Sequence, residues 1–137
     1  MKRSSTGFTL VELIITVIII GVLAAIAYPG YSEYMRRGQR AEGQVLLNEA
    51  ASRQERYFSQ NNAYVTANGD LANLGLKNGE KSETGKYALS VSVVAGDGGY
   101  TLTAISNFDD TECGNLTLDA LGQKGLTGTG ELEDCWQ

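Results

Sequence analysis

At 137 residues, with a net charge of −5 and no histidine, the chain is sized for one small domain and lacks the commonest general base and metal ligand. Sixteen acidic residues face eleven basic ones, and from Tyr57 onward only Lys77, Lys81, Lys86 and Lys124 oppose eleven carboxylates. Such a surface repels a phosphate backbone, so DNA is not an expected partner unless Lys77, Lys81 and Lys86 converge on one face.

The chain opens on a short basic segment, Met1-Lys-Arg-Ser-Ser-Thr-Gly7, followed by Phe8-Thr-Leu-Val-Glu12 and an apolar run to Tyr31. Between Leu13 and Ser32 there is no charged side chain. Residues 8–32 as a helix rise about 37 Å, enough to cross a bilayer core of about 30 Å. Lys2 and Arg3 precede the run, and by the positive-inside tendency they hold the N-terminus in the cytoplasm and place the remainder outside. Glu12 is the exception within the segment. An ionisable group in such a stretch is a functional-site candidate that needs a partner, because a charge among Ile and Leu side chains is tolerable only when paired. A charge held near the interface, within reach of headgroups, is the competing account. An ordinary cleaved secretory signal is the other reading of the run. Its apolar part is too long for that, and Tyr28-Pro29-Gly30-Tyr31 is a poor cleavage site, although Ala24-Ala25-Ile26-Ala27 is not.

Gly7-Phe8-Thr-Leu-Val-Glu12 resembles the class III signal of the type IV pilin superfamily, and Gly21 and Pro29 fall at spacings that family uses in this helix. The resemblance implies removal of residues 1–7 by a prepilin peptidase, with cleavage between Gly7 and Phe8 and N-methylation of Phe8. It also implies that residues 8–32 form first an inner-membrane anchor and then a filament core. Glu12 would meet the N-terminal amine of its own or a neighbouring subunit, and Gly21 and Pro29 would be places of local melting or kinking. Residues 33–137 would form a periplasmic, later extracellular, head. Without Lys2 and Arg3 the mature chain carries nine basic residues against sixteen acidic ones.

Past Pro29 the apolar positions keep three- and four-residue steps: Tyr34 and Met35, Ala41, Val45 and Leu46, Ala50, Tyr57 and Phe58. One long helix over residues 8–59 follows, apolar all round in its first half and amphipathic in its second, weakened locally by Gly21, Gly30, Gly38 and Gly43. Residues 63–85 read as loop. Strand signals then alternate over residues 86–94, with Tyr87, Leu89, Val91 and Val93 on one face. The turn Gly96-Asp-Gly-Gly99 leads to a returning strand over residues 100–105, and a third, shorter strand is expected over residues 115–119. An antiparallel sheet with one apolar face needs a cover, and the amphipathic half of the helix supplies it, giving an α+β fold.

Cys113 and Cys135 lie in the exported part, where an even pair reads as a disulfide. A metal pair or redox pair fits less well, with no histidine and a spacing far from C-x-x-C. Asp109, Asp110 and Glu112 cluster closely enough to suggest calcium, yet no glycine-turned ligand loop surrounds them and a solvated acidic loop is the plainer reading. Gly125-Leu-Thr-Gly-Thr-Gly130 lacks the Lys-Ser/Thr ending of a phosphate loop, and Asn115-Leu-Thr117 is a glycosylation triplet inside an expected strand. Nothing here calls for a cofactor or an enzyme.

Residues 112–125 with Asp134-Cys-Trp-Gln137, and the helix stretches 40–47 and 53–57, are similar to PilE-type minor pilins. The expectation is therefore a type IV pilin fold: a long N-terminal helix on a small antiparallel sheet, closed by a disulfide-bounded C-terminal region. The implied role is that of a minor subunit of a Gram-negative type IV pilus, serving twitching motility or adhesion. Its partners would be other pilins, the prepilin peptidase, the inner membrane and its assembly platform. A type II secretion pseudopilin, a major pilin and a DNA-uptake competence pilin are the alternatives.

Overall fold

The computed structural model describes residues 7–137, so the leader basics Lys2 and Arg3 lie outside the described residues. The chain divides into two compact units, one ending at Met35 and the other running over Arg36–Gln137. Helix α1 (Leu10–Asn61) contributes to both and runs without interruption through Gly21, Pro29, Gly30, Gly38 and Gly43. It starts two residues later and ends two residues later than its apolar periodicity alone predicts.

In the first unit the large apolar side chains from Leu10 to Ile26 are 49–73% exposed. A helix that is apolar on every side has no amphipathic stripe to dock, so nothing within this unit covers it.

In the second unit α1 buries Arg40, Gly43, Leu46, Leu47, Ala50 and Gln54, one face at three- and four-residue spacing. This face is part of a core shared with four strands, β1 (Tyr87–Ser92), β2 (Thr101–Ser106), β3 (Leu116–Asp119) and β4 (Lys124–Leu126). The strands form an antiparallel sheet in chain order, with Leu89 opposite Ala104, Leu102 opposite Leu118 and Leu116 opposite Leu126. Alternation puts Tyr87, Leu89, Val91, Leu102, Ala104, Leu116 and Leu118 inside. Val93, expected on that face, is 60% exposed because β1 ends at Ser92 before the glycine turn. In that turn the Asp97 carboxylate accepts hydrogen bonds from the Val94 and Gly99 N–H groups, at 2.7 and 2.8 Å.

The segment read as loop holds a 3₁₀ helix (Asn68–Leu74) that buries Leu71 and Leu74 and stops at Gly75 in the left-handed region, φ +61°. Its approach is pinned by a reciprocal amide pair: buried Gln54 donates to the Val65 carbonyl at 2.6 Å and accepts from the Val65 N–H at 2.9 Å. Both outer edges of the sheet are covered. Ser82 N–H donates to the Tyr87 carbonyl and Leu89 N–H to the Glu80 carbonyl along β1, while the Trp136 indole N–H donates to the Gly125 carbonyl on β4 at 3.0 Å. A short helix α2 (Leu132–Cys135) precedes Trp136 and, like β4, is absent from the sequence expectation.

At Gly43 the helix approaches the sheet most tightly: a Cβ there would lie 3.0 Å from the Tyr87 ring, whereas one at Gly38 would meet open space. Gly43→Leu is therefore expected to lower unfolding free energy by about 1–3 kcal/mol through overpacking, and Gly38→Ala to leave it equal or raise it by about 0.5–1 kcal/mol. Urea unfolding of the full chain in detergent micelles, followed at Trp136, distinguishes the two.

Candidate assembly site and disulfide-bounded region

The first expected site lies at the start of α1. Gly7 and Phe8 precede the helix, Phe8 is 78% exposed, and Thr9 stands as the residue before its first turn. Thr9 and Glu12 are joined reciprocally. The Glu12 carboxylate accepts from the Thr9 N–H at 3.4 Å and the Thr9 hydroxyl at 3.3 Å, and the Glu12 N–H donates to Thr9 Oγ1 at 3.3 Å. This is a capping box, in which a Thr and a Glu three residues later satisfy donors that a helix N-terminus leaves unpaired. Its signature, Thr-x-x-Glu ahead of an apolar run, stands in the sequence. Glu12 thus has a local partner and stays exposed. Within the same unit Pro29 accepts a hydrogen bond from the Ser32 hydroxyl at 2.9 Å; Gly21 has open space around it.

The second region is held together by charge and sulfur. Cys113 and Cys135 are bridged, 5.6 Å apart at Cα, and both are fully buried. The loop they close spans 22 residues, for which the chain-entropy account gives about 3 kcal/mol of stabilisation. The run Gly125–Gly130 proves to be structural, since it packs along residues 111–115. Thr127 N–H donates to the Asn115 carbonyl, Gly128 N–H to Cys113 and Gly130 N–H to Glu112. A Cβ at Gly128 would collide with the Glu112 backbone, which is why glycine stands there. Asn115 of the glycosylation triplet uses its side-chain oxygen to accept the Ser106 N–H at 3.0 Å.

The acidic cluster is not a solvated loop. Arg40, 2% exposed on the core face of α1, donates from Nε to Asp110 Oδ2 and from Nη2 to Asp110 Oδ1, both at 2.8 Å. The same Nη2 also reaches Glu112 at 2.7 Å. Asp110 further accepts the Cys113 N–H at 3.2 Å, so one carboxylate ties α1 to the disulfide. Asp110, Glu112 and Cys113 could by proximity suggest a cation site, but the sulfur is bridged and both carboxylates hold the guanidinium; Asp109 is exposed. A cation there would have to sit against Arg40.

Burial alone would lift the Asp110 carboxyl, but the paired donors of Arg40 outweigh it and hold the group below the ordinary carboxylate range. The Asp110 hydrogen bond, ahead of all other influences, correspondingly raises the Arg40 pKa. Burial pushes the Tyr87 hydroxyl up to about 12, and that hydroxyl has no hydrogen-bond partner among the described residues.

A carboxyl whose folded pKa is depressed supplies stability that is complete above its unfolded value and lost as pH falls through the folded one. The head should therefore weaken progressively below about pH 4. Asp110→Asn, which removes the carboxylate paired with the buried guanidinium, should cost about 3–5 kcal/mol at pH 7 and flatten that acid dependence. Asp97, held low first by the Val94 N–H and then by the Gly99 N–H, contributes in the same direction. Unfolding curves of both chains between pH 2 and pH 7 read the difference; parallel acid profiles would contradict it.

Comparison with known proteins agrees with this arrangement. Residues 29–117 match the family described as "Type IV minor pilin ComP, DNA uptake sequence receptor", and residues 2–28 match the "Prokaryotic N-terminal methylation motif". The type IV major pilin protein PilA of Myxococcus xanthus is 39% identical over 92 residues, which is 66% of this chain and 39% of that one. The type IV wide pilus major component PilA4 of Thermus thermophilus is 35% identical over 104 residues, 73% of this chain and 79% of that one. The fimbrial protein EcpC of Eikenella corrodens is 36% identical over 104 residues, 76% and 64% of the two chains. The chain thus spans between 39% and 79% of the length of these three relatives. The long helix, the four-stranded antiparallel sheet and the C-terminal disulfide make up the type IV pilin fold, and the chain belongs to the type IV pilin superfamily.

Proposed function

We propose that this pilin is a minor subunit of a type IV pilus, taking part in pilus assembly and through it in adhesion or twitching motility. Residues 1–7 are its leader, cut between Gly7 and Phe8 by a prepilin peptidase, after which Phe8 is N-methylated. Residues 8–32 anchor the precursor in the inner membrane of a Gram-negative cell and then, with the assembly platform acting, enter the filament core. Residues 33–137 form the head presented outside.

The observation that carries the reading is the uncovered apolar half of α1, which is long and apolar enough to cross a membrane. Apolar surface of that extent requires lipid or other helices around it. Processing exposes an amine at Phe8, four residues before Glu12. That carboxylate then has a positive partner to meet in an apolar surrounding, where its present partner, the Thr9 cap, offers no charge. The minor rather than major assignment is supported by the description of the matched family and by the PilE-like C-terminal region; the names of the relatives above favour a major one. A type II secretion pseudopilin shares the helix, and the matched pilin families disfavour it.

The description of the matched family as a DNA uptake sequence receptor supports a second reading, a competence pilin that binds DNA. Against it, Lys77 and Lys81 line one groove together with Glu42, Glu49 and Glu83, so their charge is met by carboxylates. Lys124 lies over the Trp136 ring, 5.1 Å from its centre.

Quantitative mass spectrometry of sheared, purified filaments tests the first reading. The expected result is a small share of this subunit, beginning at methylated Phe8. A dominant share would overturn the minor assignment, and a mature chain beginning near Tyr28 would overturn the processing.

A further inference from the structure

Beyond assembly, and independent of it, a second region of the head has the makeup of a binding site. Where the last turns of α1 pass the end of the 3₁₀ helix, Arg53, Arg56, Tyr57, Gln60, Asn73 and Leu74 surround a cavity of about 210 Å³. No carboxylate lines it. On a chain with an excess of five negative charges, this places two guanidiniums beside two carboxamides, a phenol and one apolar wall.

The two arginines are weakly engaged by the protein itself. Glu49 stands 3.9 Å from Arg53 Nη2, at the limit of an ion pair, and its Oε1 already accepts the Lys77 N–H at 2.9 Å. Among the described residues no carboxylate pairs with Arg56. Each guanidinium carries a planar fork of donors suited to an oxyanion, and two of them match the charge of a phosphate at neutral pH. One wall is fixed before any ligand arrives, while the Arg56, Gln60 and Asn73 side chains reach the cavity from the exposed surface. Leu74 is 4% exposed, Tyr57 packs on the core, and the Gln54–Val65 amide pair holds the chain that leads from α1 into the 3₁₀ helix. A preorganised wall lowers the ordering cost of binding.

We propose that this cavity is an anion site that takes a phosphate group, held by the forks of Arg53 and Arg56 with Gln60 and Asn73 donating beside them. A free phosphate ion and a phosphodiester chain offer the same chemistry, and the test separates them.

Calorimetric titration of the full chain in detergent micelles with inorganic phosphate, at pH 7 and fixed ionic strength, should give saturable binding. The Arg53→Gln/Arg56→Gln chain should bind at least tenfold more weakly, while Lys86→Gln, which removes one positive charge away from the cavity, should bind as the parent does. Far-UV circular dichroism of the double variant checks that it is folded. A short single-stranded oligonucleotide that displaces phosphate would identify a phosphodiester chain as the source. Failure to displace it would identify the free ion, and either result keeps the site. Absence of saturable phosphate binding by the parent chain overturns the proposal without reference to any variant, and so does undiminished binding by a folded double variant.

Discussion

Everything about this chain turns on an apolar helix that cannot be satisfied by its own fold. From Leu10 to Ile26 the large apolar side chains are 49–73% exposed. A soluble domain rarely leaves so much apolar surface contiguous and bare. In the proposed role the segment has two successive environments, lipid while the chain is a precursor and neighbouring helices when it is a subunit. Glu12 is the one group that is comfortable in neither without a partner. In this chain it closes a capping box with Thr9, a contact that satisfies backbone donors but, among the described residues, brings no opposite charge. Removal of residues 1–7 would replace that arrangement with a free amine close by.

The head solves a different problem. Four short strands and one helix face provide a modest core, and the polypeptide after β2 has to be fastened to it. Two devices act at one place. The Cys113–Cys135 bridge closes the loop covalently, and Asp110 links that loop to Arg40 on α1 while accepting the Cys113 N–H. A buried ion pair of this kind adds little net stability over an apolar pair, but breaking one side is costly, so it acts as a registry device: α1 fits the C-terminal region in one rotational setting. Gly43 acts in the same direction sterically, since a Cβ there would lie 3.0 Å from the Tyr87 ring and press it away from the helix.

Much of this was legible in the amino-acid sequence, for physical reasons. The charge-free run and the later three- and four-residue apolar steps located α1 to within two residues at each end. Strict alternation located β1 to β3, and the glycine cluster placed the turn between β1 and β2. What stayed hidden shares a cause. β4 is three residues, Lys-Gly-Leu, too short to carry a period, and it exists because β3 offers it a ladder. The 3₁₀ helix shows only Leu71 and Leu74 as apolar contacts, and its neighbours Asn68, Gly69 and Asp70 read as turn. Arg40 looked like any polar position of an amphipathic helix because its partner lies 70 residues away. The Asp109–Glu112 cluster was read by exposure expected of acidic residues, whereas Asp110 is 5% exposed. The Thr9–Glu12 cap is different: its pattern is local and legible, and the same carboxylate carries both a charge and a capping role.

In the proposed role Glu12 is a charge whose partner is supplied at assembly. Incorporation of Glu12→Ala and Glu12→Gln chains into sheared filaments, at matched membrane levels, measures this most directly. Loss of one member of a buried pair costs about 3–5 kcal/mol, against little for an exposed one. Both variants should therefore insert into the membrane normally and enter filaments poorly, since Gln keeps the shape and a hydrogen bond but not the charge. Incorporation of either variant at the level of the parent chain would show that Glu12 does no more than cap its helix.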